Sequence, residues 1–216
     1  IYHIDFSYDE LRLGGSAFAQ SLNKVGDDVP TVTDPEYFCD AFNAIQAMIK
    51  KGWIMAGHDI SAGGLITTLL EMCFANTEGG LHINLHDFPS DDIVKILLAE
   101  NPGVIIQVSD KHKEEFRKFM DEAGVGYAKI GYPCREREII LIYDNYEHTF
   151  DIDALRDVWY KTSYLLDCKQ SMNGCAKKRF ENYKQQPLKM KFNYSFSGKL
   201  RQYGIPFRSG IAGTGI

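Results

Sequence analysis

The residues of this chain best suited to chemistry lie in one run, His58-Asp59-Ile60-Ser61-Ala62-Gly63-Gly64. An aspartate supplies hard oxygen ligands for Mg²⁺. A glycine-rich turn that opens a helix presents N–H groups and the positive end of the helix dipole to a phosphate or carboxylate. Asp59 is therefore the expected metal ligand, and Ser61 an N-cap or a hydroxyl donor to a phosphate oxygen. Gly63 and Gly64 permit close backbone approach to a nucleotide, although tight strand–helix packing demands glycine just as often. His58 is a possible phosphate contact or base, against the commoner role of a hydrogen-bonded structural residue at a strand end. A capping carboxylate is the corresponding structural role for Asp59.

The elements that must hold this run are legible on either side. Trp53 to Gly57 reads as a short apolar strand, and Leu65, Ile66, Leu69, Leu70, Met72, Cys73 and Phe74 give the following helix an apolar face wide enough to require burial. Gly14-Gly15-Ser16 opens another helix, expected through about Val25, with a helix cap as its default role. Asp34 and Pro35 start a third helix as N-cap and first helical residue, Phe38, Phe42, Ile45 and Ile49 supply its buried stripe, and Gly52 ends it.

Residues Ile1 to Phe6 alternate as an edge strand would. Gly80 to Leu85 alternates as a half-exposed strand, Asp91 to Glu100 is a short helix, and Val104 to Val108 a buried strand. Asp110 caps a helix to about Ala123. Tyr127 to Ile130, Glu138 to Tyr143 and Tyr146 to Phe150 read as a meander, and Asp151 to about Asp167 as a helix. The irregular alternation predicts an α+β fold, a mixed β-sheet covered by helices.

Other motifs fail on spacing. His82 and His86 stand four apart in a strand pattern, a span of ~13 Å that no shared ion bridges. Gly210, Gly213 and Gly215 have no helix after them to complete a dinucleotide fingerprint. The sequence carries no Walker loop, kinase signature or serine-nucleophile elbow.

The 216 residues allow one substantial domain plus an appendage. The longest apolar runs are strand-sized, short of the ~20 residues of a spanning helix, which predicts no membrane contact. The chain begins at Ile1 without a secretory signal and reads as a piece of something longer. Five cysteines, at 39, 73, 134, 168 and 175, show no CxxC pair and fit reduced thiols in the cytoplasm. Cys39 and Cys73 are expected as small buried hydrophobes.

The net charge of −5 divides sharply: residues 1–168 hold 14 basic and 28 acidic residues, residues 169–216 hold 10 basic and one acidic. The basic segment is expected to lie across an acidic domain, nucleic-acid contact being the sharper alternative.

HDISAGGL at His58 to Leu65, LRLGGSAFAQSL at Leu11 to Leu22 and NPGVIIQV at Asn101 to Val108 together resemble the second C-terminal-type domain of the phosphoribosylformylglycinamidine synthase family, in its large single-chain form. The resemblance covers about Leu11 to Pro187. It implies an aminoimidazole ribonucleotide synthetase-type C-terminal domain over residues 1–168, and a linker over 169–216 toward a glutamine amidotransferase (glutaminase) domain. The final FRSGIAGTGI departs from what that family has there.

The implied reaction converts formylglycinamide ribonucleotide to its amidine, using ATP, Mg²⁺ and glutamine-derived ammonia through an iminophosphate. The residue-by-residue match makes Asp59 a Mg²⁺ ligand and Ser61 a nucleotide contact. The site would be completed by an N-type synthetase domain of the same parent chain. Because the family has two related nucleotide sites, the second copy points to the one that holds ADP structurally. Ala62 stands where some relatives have aspartate, so the loop lacks a second carboxylate. Two alternatives are another ATP-using relative, of the selenophosphate synthetase or thiamine-phosphate kinase type, and a non-catalytic module with a nucleic-acid-binding tail.

Overall fold

The structure, a computed structural model, describes residues 1–86, 88 and 90–185. The elements are β1 (Tyr2–Asp5), α1 (Ala17–Ser21), α2 (Pro35–Lys51), β2 (Ile54–Asp59), α3 (Gly64–Phe74), β3 (Gly80–Asn84), α4 (Ile93–Leu98), β4 (Gly103–Val108), α5 (Lys113–Glu122), β5 (Ala128–Lys129), β6 (Gly131–Cys134), β7 (Glu138–Tyr143), β8 (Tyr146–Asp151), α6 (Ile152–Gln170) and α7 (Cys175–Glu181). The late glycines and FRSGIAGTGI lie outside the described residues.

The described strands form two four-stranded sheets. The first, β2-β4-β1-β5, is antiparallel throughout. The second, β6-β3-β7-β8, is mixed: β3 runs parallel to β7, and its other pairings are antiparallel. The α+β class with a mixed sheet holds, with a second sheet beside it. The meander expectation holds for the β7–β8 hairpin only. Residues 128–129 belong to the first sheet, and β6 belongs to the second. Between them Ile130, 1% exposed, donates its N–H to the Ile1 carbonyl and accepts from the Asn84 N–H. One residue thus ties the sheets together.

Two apolar clusters follow from this layering. On one face of the first sheet Tyr2, Ile4, Phe6 and Ile106 pack with residues of α2 and α5, including Met48, Phe116 and Met120. On the other face Ile1 and Ile105 meet Leu65 and Leu69 of α3, and Ile83, Ile139 and Leu141 of the second sheet. β1 is accordingly an interior strand rather than an edge. Its His3 is buried, with its ring against Phe88. Burial pushes the His3 imidazole down to about 4, only partly opposed by the Asp5 charge.

α2 starts and stops as its sequence predicts: the Asp34 side chain accepts from the Glu36 and Tyr37 N–H groups, Pro35 begins the helix and Gly52 ends it at φ +71°. Its buried face differs. Ala41, Ala44, Ile45 and Met48 turn inward, whereas Phe42 and Ile49 are 48% and 52% exposed. Both sets have helical spacing, and the set with two alanines lets the helix lie close to the sheet. Cys39 is exposed as well, while Cys73 is buried, its thiol pushed up to about 11 by that burial. α1 ends at Ser21, short of Val25.

α6 runs past Cys168 to Gln170, and α7 folds back on it. The Arg156 guanidinium lies 3.8 Å from the centre of the Tyr183 ring and 4.8 Å from that of Tyr160, and Nη1 donates to the Phe180 carbonyl at 3.0 Å. Asp153 accepts from Arg137, Tyr183 and Lys184. Burial works to raise its pKa, but these three donors outweigh it and hold the carboxyl at about 2. No described helix is long and apolar enough to cross a membrane.

Candidate functional site

β2 continues beyond Gly57 and carries His58 and Asp59 within the sheet, opposite Ile105 and Val104 of β4. The next N–H, of Ile60, still donates to the Gly103 carbonyl at 2.8 Å. The strand therefore delivers Asp59 on a fixed backbone, with its side chain 76% exposed. Ser61 and Ala62 are exposed in the turn that follows.

The turn is built from two left-handed residues in succession, Gly63 at φ +92° and Gly64 at φ +68°. Gly63, not Ser61, is the N-cap of α3. The Ser61 carbonyl accepts from the Gly64 N–H at 3.0 Å, leaving the hydroxyl uncommitted to capping. A Cβ on Gly63 would meet Thr67 Oγ1 at 2.3 Å, and one on Gly64 would meet the Leu97 carbonyl oxygen at 2.7 Å. The glycines are demanded by conformation and packing together. Thr68, buried one turn into α3, lies with Oγ1 3.3 Å from the Asp59 carbonyl and 3.1 Å from that of Gly64, bracing strand end against helix start.

An anion already sits at this helix start. Glu100 Oε1 accepts from the Gly63 N–H at 2.8 Å, and also from the Ala17 N–H at 2.8 Å. Sequence reasoning missed Glu100, since nothing in its local pattern distinguishes it from a helix-terminal acid. Ser16 caps α1 as expected, accepting from the Ala19 N–H.

His58 is engaged on both ring nitrogens. Nδ1 is 2.7 Å from the Asp59 carbonyl oxygen, and Nε2 is 3.3 Å from Glu71 on α3. Glu71 in turn accepts from Trp159 Nε1 of α6 at 2.8 Å. These three, with Phe74, Arg156 and Tyr183, line an open cleft of ≈ 530 Å³ beside the strand end. A larger hollow of ≈ 690 Å³ runs along α5 among Glu114, Arg117 and Asp121 and contains none of the expected site residues.

Among the described residues, no three His, Cys, Asp or Glu side chains converge as a metal cage. The Asp59 carboxylate lies 3.5 Å from His58 Nδ1. One exposed carboxylate with an exposed serine beside it fits a single ligand of an ion held jointly with another body, not a self-contained centre. His82 stacks on Tyr132, and His86 lies 3.5 Å from Asp144, so the two histidines face different partners.

The family described as AIR synthase related protein, C-terminal domain, matches residues 7–144. A relative from Arabidopsis thaliana named probable phosphoribosylformylglycinamidine synthase, chloroplastic/mitochondrial, is 33% identical over 187 residues, covering 85% of this chain and 13% of its own length. A Saimiriine herpesvirus 2 protein named probable membrane antigen 75 is 36% identical over 153 residues, 69% of this chain and 11% of the relative. The chain thus spans a small part of the curated relatives it matches. Among solved structures, Thermotoga maritima PurL complexed with ATP superposes with a TM-score of 0.52 at 15% identity, over 71% of this chain and 25% of that one, a likeness of fold. By a match extending over well more than half of its length, the chain belongs to the family of AIR synthase related C-terminal domains.

Proposed function

We propose that this chain is the second C-type domain of a phosphoribosylformylglycinamidine synthase, and that it supplies Asp59 and Ser61 to a Mg-nucleotide site completed by an N-type domain of the same parent. The observation that carries the reading is the exposed Asp59 carboxylate, 76% open to solvent at the end of a strand held along one edge by its pairing with β4. A structural cap would be expected to point its oxygens at N–H groups, as Asp34 does in α2. In the whole enzyme, ATP and glutamine-derived ammonia from a glutaminase domain would convert formylglycinamide ribonucleotide to the amidine.

A Mg²⁺ ion at Asp59 would neutralise charge on the nucleotide phosphates. The chain's own part is to fix the carboxylate and the Ser61 hydroxyl by the β2–β4 pairing and the Thr68 brace. His58, with both nitrogens engaged within the domain, orients the strand end. As the second copy in its parent, the domain serves the structural ADP site in this reading, so loss of Asp59 weakens assembly more than turnover. A cytoplasmic location is proposed from the cysteines, all five of which are free thiols.

The second reading is a scaffold domain without nucleotide, in which Asp59 is a structural residue. Calorimetric titration of Mg-ADP into the chain, alone and mixed with the N-type domain, separates the two. The shared-site reading expects binding in the mixture and its loss in Asp59→Ala. A folded mixture that binds no Mg-ADP would overturn it and leave the scaffold.

A further inference from the structure

The turns Gly14–Ser16 and Ser61–Gly64 are far apart in sequence, yet they meet at a single oxygen. Glu100 Oε1 takes the N–H of Ala17, just after the first turn, and the N–H of Gly63, within the second, each at 2.8 Å. The segment that carries Glu100 is itself anchored. Its neighbour Asn101, 4% exposed, donates to Ser7 Oγ at 3.1 Å and to the Glu10 carbonyl at 3.0 Å, and accepts from the Arg12 N–H at 3.2 Å.

We propose that Glu100 is a positioning residue that clamps the two glycine turns to each other and keeps free anions off the α3 start. A phosphate oxygen approaching the Gly63 N–H would compete with a carboxylate already bonded to it, and the two negative charges would repel. What the loop leaves open is the Asp59 carboxylate and the Ser61 hydroxyl, groups that receive a cation-bound nucleotide rather than a bare one. This last consequence rests on the nucleotide reading above; the clamp itself does not.

The test uses the 216-residue chain as wild type, Glu100→Gln and Glu100→Ala. Amide hydrogen exchange resolved by residue is expected to show Ala17 and Gly63 both protected in the wild type. Both should remain protected in Glu100→Gln, whose amide oxygen can still accept, and both should be exposed together in Glu100→Ala. Pyrophosphate titrated without Mg²⁺ should bind Glu100→Ala about tenfold or more tighter than wild type, because the freed N–H gains a charged acceptor. Rapid exchange of either amide in the wild type, loss of one amide's protection without the other in Glu100→Ala, or equal pyrophosphate affinity in wild type and Glu100→Ala would overturn the proposal. If Glu100→Ala does not fold, wild type and Glu100→Gln decide it through the same two amides. Failure of the nucleotide reading would instead appear as no Mg-ADP binding by the chain mixed with the N-type domain, with the clamp's protection intact.

Discussion

Replacing Gly64 with alanine separates backbone conformation from packing at the start of α3. Gly64 sits at φ +68°, and an added Cβ would lie 2.7 Å from the Leu97 carbonyl oxygen, 2.8 Å from that of Ala99 and 2.8 Å from the Leu98 carbonyl carbon. All three are main-chain atoms at the end of α4, so no side chain can swing aside. Gly52, ending α2 at φ +71° with nothing within 4 Å of its added Cβ, is the matched control. The left-handed conformation alone costs an alanine roughly 1–2 kcal/mol, which is the whole expectation for Gly52→Ala. Forcing the α3–α4 contact apart adds about 1–3 kcal/mol of overpacking strain, bringing Gly64→Ala to roughly 2–5 kcal/mol. Urea denaturation of both variants against the wild type measures the difference, with unchanged m-values certifying that the same transition is compared. Equal losses for the two variants would refute the argument that α4 presses on the α3 start.

Two further predictions concern charge. The His3 imidazole falls to about 4 in the folded chain from an ordinary 6.5, so below pH 6.5 the unfolded chain takes up a proton that the folded one refuses. Its contribution is lost as pH falls from about 6.5 to 4, at ~1.4 kcal/mol per pH unit and roughly 3 kcal/mol in all; the stability difference between wild type and His3→Leu should change by that much, and a difference constant from pH 7 to 4.5 would refute it. Arg156→Ala removes the stack on Tyr160 and Tyr183 and the bond to the Phe180 carbonyl, about 3 kcal/mol locally. Trypsin should then cut near Lys177–Arg179 on the order of a hundredfold faster, Arg156→Lys should fail to restore resistance because it lacks the planar fork, and an unchanged rate would show that α7 is held by other contacts.

What was legible in the sequence was local. Asp34, Pro35 and Gly52 announce α2 because their own side chains and dihedral preferences make its ends. The glycine pair after Asp59 announces a strand-to-helix turn for the same reason. The misreadings came from neighbours distant in sequence. His3 and Asp5 looked like the polar face of an edge strand, but β4 and β5 flank β1 and bury that histidine. Phe42 and Ile49 lost the buried face of α2 to Ala41 and Ala44, a choice made by how closely the helix approaches the sheet. At the candidate site, the types and spacing of Asp59 and Ser61 marked them as candidates, whereas Glu100 reaches Ala17 and Gly63 only through the tertiary fold. α7 has no side-chain cap at its start, Gly174, and is held by Arg156 and Asp153 on the preceding helix.

The interior position of β1 also fixes an order of events during synthesis. Tyr2 and Ile4 find their hydrogen-bonding partners only when Ile106 and Val104 exist, and the other edge of β1 only when Ala128 and Lys129 do. While the intervening segment is being made, this apolar strand is present without a sheet to join. Such non-local pairing slows folding and prolongs exposure of sticky surface. The β1–β4 pairing therefore waits for β4, and the first sheet is complete only once β5 has left the ribosome.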